Sequence, residues 1–194
     1  MSRPASFSWR PSALLTAVCL TALLADGAQA RAQVAAPTGY TAFAPRASYA
    51  LCFVPDGASC QALLIDTINA TQRSLRVQAY YFTSTPIAQA VKQAKDRGVD
   101  VQVIVDQSQA GEKYTSATYL KNAGIPVVVD TKPAIAHNKV MIFDDRAVFT
   151  GSFNFTKSAQ ERNAENGVLI RDDPALVKAY ADNWLTRFKQ STPY

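Results

Sequence analysis

The sequence predicts an α/β domain with a mixed, mostly parallel sheet and helices on both of its faces. From Tyr49 onward, runs rich in β-branched and aromatic residues alternate with segments of helical length and periodicity, the pattern of βαβ units. Beyond residue 138 the strand-like runs follow one another without helices between them, so the sheet should be mixed. A chain of 194 residues with 48% hydrophobic and 18% charged content can bury one ordinary globular core. Collagen-like, coiled-coil and disordered classes are excluded by that composition.

Residues 1–30 read as a secretory signal. Arg3 and Arg10 precede an apolar run from Ala13 to Ala25, and Ala28-Gln29-Ala30 supplies the small-residue cleavage site. The run falls short of the roughly 20 residues that span a bilayer. Cleavage near Ala30 and an exported protein, periplasmic or secreted, are therefore expected. Residues 31–47, with Pro37 and Pro45 and no periodicity, read as a flexible leader before a folded domain at 48–194.

Within that domain, strands are expected at Tyr49–Val54, Leu75–Phe82, Val99–Asp106 and Ile125–Asp130. A helix around Ser59–Thr71 puts Leu64, Ile65 and Ile68 on one face. The next has Thr85 as N-cap, Pro86 at its first position, an Ile87/Ala90/Val91/Ala94 stripe and Gly98 past its end. A weaker helix covers Lys113–Asn122. Three more strands are expected at Lys139–Phe143, Ala147–Thr150 and Gly167–Arg171. A last helix, capped by Asp173, turns Val177, Tyr180, Trp184 and Phe188 inward. Cys52 and Cys60, an even pair in an oxidising compartment, predict a disulfide closing the turn at Pro55-Asp56-Gly57, the alternative being two buried thiols. One histidine with these cysteines does not make a zinc tetrad.

The chemistry concentrates in one segment. His137 and Lys139 stand two apart at the entry of a strand, so their side chains share a face. Asp144 follows the apolar run, and Gly151-Ser152-Phe153-Asn154 makes a tight connection after the next strand. Histidine, lysine, hydroxyl and carboxamide can supply a nucleophile or base, a fixed positive charge and neutral donors, all suited to an anionic phosphoryl group. Singly, each has an ordinary structural explanation. Together they read His-x-Lys-x4-Asp-x6-Gly-Ser-x-Asn, a pattern expected by chance only about three times in a million in a chain this long.

That pattern resembles the signature of the phospholipase D superfamily. The resemblance runs from about Tyr49 to Trp184 and includes Cys52-Phe53-x-Pro55, Ala79-Tyr80-x-Phe82-Thr83, Arg97-Gly98-Val99-Asp100-Val101, Ser152 to Thr156 and Asn163-x-Glu165-Asn166. It is similar to the small, secreted, single-motif bacterial endonucleases of that superfamily. The resemblance implies that His137 attacks phosphorus to form a phosphohistidine, and that Lys139 and Asn154 hold non-bridging oxygens. Ser152 supports the phosphate pocket, while Asp144 and Gly151 are structural. Glu165 accepts a hydrogen bond from the other nitrogen of the nucleophile. No metal or other cofactor is needed in such a scheme, and the pair Asp144-Asp145 reads as a turn before Arg146.

The surplus of 20 Lys+Arg over 15 Asp+Glu, a formal +5, suits an anionic partner without histone-like density. Lys113, Lys132, Lys157 and Arg162 are candidates to track a nucleic-acid backbone, whereas Lys92, Lys95 and Arg97 read as a solvated helix face. The leading expectation is a metal-independent endonuclease acting on DNA, with RNA also open. The alternative is a phospholipase acting on lipid head groups, and the third is an inactive binder of anionic polymers. The single histidine adds one more expectation. The superfamily uses two, so a homodimer should bring two His137 side chains to a shared site.

Overall fold

The computed structural model describes residues 39–112 and 115–194. Thr41–Tyr194 make one unit built on a single sheet. Its described elements are β1 (Ser48–Val54), α1 (Cys60–Ala70), β2 (Ser74–Ala79), α2 (Thr85–Asp96), β3 (Asp100–Asp106), α3 (Ser116–Asn122), β4 (Val127–Asp130), β5 (Lys139–Phe143), β6 (Ala147–Gly151), α4 (Lys157–Glu161), β7 (Glu165–Arg171), α5 (Pro174–Gln190) and β8 (Thr192–Pro193). A 3₁₀ turn at Gln107–Gln109 follows β3. The signal segment and Lys113 lie outside the described residues.

The strand order is β1-β7-β6-β5-β2-β3-β4-β8. Only β2–β3 and β3–β4 pair in parallel, and the other neighbours are antiparallel. The expectation of a mostly parallel sheet is thereby corrected. Parallel neighbours need a crossover, and only α2 and α3 cross over between strands that end up adjacent and parallel, whereas α4 joins β6 to its antiparallel neighbour β7. α1 instead carries the chain from the sheet's edge at β1 to its middle at β2, while β5 and β6 close as a hairpin.

Helices cover both faces, as expected. One face packs under α1, α2 and α3, with Leu64, Ile68, Ile87, Val91 and Leu120 buried. The other packs Ile104, Val140, Ile142 and Val148 against Val177 and Trp184 of α5. The indole N–H of Trp184 donates to the Val77 carbonyl at 3.1 Å, tethering α5 to the middle of the sheet. Tyr180 and Phe188 are partly buried against this second cluster.

Local details differ from expectation where two residues compete for one job. Ser84, not Thr85, caps α2, its hydroxyl accepting from the Ile87 N–H at 3.5 Å. The strand expected at Leu75–Phe82 stops its ladder at Ala79 and continues as an extended rim, with an isolated bridge between Phe82 and Phe155. α4 and β8 carry too few residues to show a period and were not anticipated. Of the expected leader, the Ala44 N–H is bonded to Asp173 Oδ2 at 3.0 Å, which fixes that stretch to the start of α5. Cys52 and Cys60 form the expected disulfide, joining β1 to the first residue of α1.

Candidate active site

Several strand ends meet at one end of the sheet. β2 and β3 finish there, β5 starts there opposite Ala79, and β6 ends where β7 begins, with Gly151 facing Gly167. Ligand sites form at the carboxyl ends of parallel strands because the loops there diverge and expose backbone.

His137 lies in the loop before β5 and is exposed, whereas Lys139, the first residue of β5, is buried. Their side chains share a face as the spacing required. Lys139 Nζ sits 2.9 Å from His137 Nδ1, 3.1 Å from Nε2 and 2.9 Å from the His137 carbonyl oxygen. Tyr80 flanks both, its ring 4.4 Å from the His137 ring and 5.0 Å from the lysine nitrogen, a cation–π contact. Burial pushes the Lys139 ammonium below the ordinary lysine range, against the opposing pull of the Glu165 charge.

The loop carrying His137 is pinned by residues that the motif did not single out. Asp106, at the end of β3, accepts from the Ala136 N–H at 2.6 Å and the Ser108 N–H at 2.9 Å. Burial alone would raise this carboxyl, but its hydrogen bonds to Ser108, Ala136 and Gln107 outweigh burial and hold it below the usual aspartate range. Gln78 Nε2 donates to Asn138 Oδ1 at 3.1 Å, and the Tyr80 N–H donates to the Asn138 carbonyl at 2.8 Å. A signal was present in the sequence, since Asp106 is a carboxylate closing the apolar run Val103-Ile104-Val105 at the end of the strand where sites form.

The second half of the site is the turn after β6. Gly151 has φ of 154°, and an added Cβ would overlap the Asn166 carbonyl oxygen and come within 2.8 Å of Gly167 Cα. No larger residue fits there. The Ser152 N–H donates to that same carbonyl at 3.0 Å, and Phe153 and Phe155 are wholly buried on either side of Asn154. Their alternation turns Asn154 the other way, and its Oδ1 is buried with no hydrogen-bond partner among the described residues. An unpartnered buried acceptor is costly in a purely structural side chain and common at functional sites.

Glu165 is the first residue of β7, beside the turn that follows β6. Its carboxylate accepts from Ser152 Oγ at 2.5 Å and from Asn163 Nδ2 at 2.9 Å, and the ring of its own chain's His137 is not among its hydrogen-bond partners. Ser152 Oγ in turn accepts from the Asn166 N–H at 3.1 Å, so Ser152 and Glu165 brace the turn as a pair.

Asp144 stands at the opposite end of β5. With Asp145 it forms the two-residue hairpin turn, φ 54° and 52°, closed by the Arg146 N–H on the Phe143 carbonyl at 2.9 Å. Its carboxylate accepts from the backbone N–H groups of Gln72, Arg73 and Ser74 at 3.0, 2.6 and 3.0 Å. Burial would raise this carboxyl too, but those three N–H groups and the Arg73 charge hold it below the usual range. Among the described residues, no group of three or more His, Cys, Asp or Glu side chains is placed to hold a metal ion.

The candidate backbone-tracking residues Lys132, Lys157 and Arg162 are all exposed. Lys157 is paired with Glu161 one helical turn on, at 3.7 Å.

Comparison with known proteins points the same way as this geometry. Residues 64–189 match the family model described as cardiolipin synthase, PLD-like domain. A phospholipase D of Rickettsia prowazekii is 42% identical over 142 residues, covering 73% of this chain and 68% of that one. The human mitochondrial cardiolipin hydrolase is 32% identical over the same share of this chain and 56% of its own. Among solved structures, the phospholipase D family member Nuc of Salmonella typhimurium superposes with a TM-score of 0.73 at 36% identity, over 76% of this chain and 98% of that one. NucT of Helicobacter pylori gives 0.68 at 26% identity, over 76% and 99%.

Proposed function

The chain belongs to the phospholipase D superfamily and is a phosphodiesterase of it, and from that premise we propose that it is an exported endonuclease working through His137. The observation that carries the choice of substrate is the openness of the nucleophile. His137 and Ser152 are both exposed on a rim of the single chain, so two such rims facing each other across a dimer would form a groove that a phosphodiester backbone can enter, and not an enclosed pocket. The net positive charge of the chain favours such a polymer. Phosphatidyl head groups are the second reading, supported by relatives named phospholipase D and cardiolipin hydrolase.

In the proposed reaction a ring nitrogen of His137 attacks phosphorus, a P–N bond forms, and the P–O bond to the leaving nucleoside breaks. Lys139 and Asn154 hold the non-bridging oxygens, so the charge that grows in the transition state meets fixed partners. Water then cleaves the P–N bond, releasing a phosphomonoester and restoring the imidazole. The leaving oxygen needs a proton, and a second imidazolium must give it. The chain has one histidine, so the proposed unit is a homodimer with two His137 rings at one phosphate.

The test is hydrolysis of plasmid DNA, RNA and phosphatidylcholine vesicles by the purified protein in EDTA, with light scattering on the same sample. Cleavage of nucleic acid by a species of twice the chain mass is expected. Cleavage of vesicles alone, or full activity in a monomer, refutes the corresponding part.

A further inference from the structure

We propose that Gln160 is a positioning residue for Asn154: it closes a ring of hydrogen bonds that fixes the turn after β6 against the rim after β2. It does so for a nucleic-acid or a lipid diester alike, given the phosphate-holding role of Asn154 proposed above.

Asn154 depends on its backbone for its aim. Its carboxamide oxygen is buried with no hydrogen-bond partner among the described residues, so that end of the side chain has no tether of its own. The backbone is held on both sides. Phe153 and Phe155 are wholly buried, and the Phe155 carbonyl accepts from the N–H groups of Thr83 and Ser84, at 3.0 and 2.9 Å. The Thr156 N–H donates to the Asn154 carbonyl at 2.7 Å, and the Thr156 hydroxyl caps α4 by accepting from the Ala159 N–H at 3.0 Å.

α4 is too short to anchor that turn by packing. It has five residues, of which Ala159 alone is buried. Its anchor is polar: Gln160 Oε1 accepts from Ser59 Oγ at 3.1 Å and from the Gln61 N–H at 2.9 Å. Ser59 caps α1, and Cys60 between the two donors is bonded to Cys52 of β1, so both donors sit on a covalently fixed helix start. Gln61 carries the tether onward, its Oε1 accepting from Ser84 Oγ at 3.0 Å. Ser84 is 1% exposed and is already bonded through its N–H to Phe155. The ring therefore runs from Asn154 through α4, Gln160, Gln61 and Ser84 and returns to Phe155. An asparagine that steadies charge growing on phosphate oxygens acts in the transition state, so a small shift of this turn should tell on kcat more than on KM.

The experiment measures hydrolysis of bis(p-nitrophenyl) phosphate, a diester with neither bases nor acyl chains, well below the melting temperature. Gln160→Met removes the acceptor at nearly constant size and should lower kcat by about 10- to 100-fold, the cost of a slightly misplaced reacting group, while KM moves little. Gln160→Glu keeps an acceptor oxygen for Ser59 and Gln61 and should retain most of the wild-type kcat. Gln61→Met cuts the ring only at Ser84 and should give a smaller loss of the same kind. In an Asn154→Ala chain, itself slow, adding Gln160→Met should cost almost nothing more, because the residue it positions is gone. Wild-type kcat in Gln160→Met, or an undiminished further loss in the Asn154→Ala background, overturns the positioning role and leaves Asn154 as a phosphate ligand. Where Gln160→Met does not fold, Gln61→Met with and without Asn154→Ala decides in the same way. Wild-type kcat in Asn154→Ala overturns both roles.

Discussion

At one end of the β5–β6 hairpin, Lys139 is buried against an exposed histidine and Asn154 carries a carboxamide oxygen without a partner. At the other end, Asp144 accepts three backbone N–H groups and closes a two-residue turn. Both ends belong to one short sequence pattern. The first leaves polar groups uncommitted to the fold, while the second commits all it can to the fold. A run of fixed residues is therefore not a list of catalytic groups. In this one, part holds the hairpin's register and, in the proposed reaction, thereby places the rest within reach of phosphorus.

The sharpest way to test that division is at His137. His137→Asn should lower kcat by at least about a thousandfold while DNA affinity, set by lysine and arginine contacts, moves little. A variant that still turns over near the wild-type rate would remove the residue from its role. Gly151→Ala should cost about a hundredfold in kcat/KM, because the added methyl meets backbone of β7 and displaces Ser152 and Asn154 together. A crystal structure of that variant with an unmoved turn would contradict the steric account.

At the other end, Asp144→Ala should lower stability by about 2 to 3 kcal/mol, read by urea titration, and leave kcat/KM unchanged well below the melting temperature. The sign of its pH dependence follows from its lowered carboxyl. The stabilisation is full above the ordinary aspartate pKa and fades as pH falls through the folded value, so the variant and wild type should converge in acid. Lys139 supplies a smaller effect of opposite placement. Its lowered pKa should bring the alkaline fall in activity below the ordinary lysine range, since the charged form holds the phosphate. The smallest expected effect is that of EDTA, which should leave turnover unchanged within about twofold if, as proposed, the Lys139 charge and a hydrogen bond from Asn154 Nδ2 stabilise the phosphate.

Much of this was legible in the sequence because its signals were local. His137 and Lys139 at period two, the paired cysteines and the capped helices each depend on neighbours within a few residues. The direction of β1 was not legible, because its partner β7 lies more than a hundred residues away and nothing at Ser48–Val54 encodes that distance. The bonds that Glu165 makes within the chain were not legible for a related reason. Its spacing brings it to the correct end of the sheet, but its bonds to Ser152 and Asn163 are decided by side-chain reach, which no motif records. Asp106 and Tyr80 were missed as site residues because a strand-end aspartate and a tyrosine look ordinary until the fold places them beside the histidine.

The disulfide between Cys52 and Cys60 has a bearing on how molecules of this protein treat one another. β1 lies at the edge of the sheet and is bound to it through β7, with Tyr49, Leu51 and Phe53 exposed along its outer side. A terminal strand of that kind is the piece that chains trade when they swap domains, the hinge being the stretch between strand and helix. Here that stretch, residues 53–59, is closed into a covalent loop, so β1 cannot open away from α1 to reach a neighbour's β7. The bond ties β1 to the start of α1 independently of its ladder with β7.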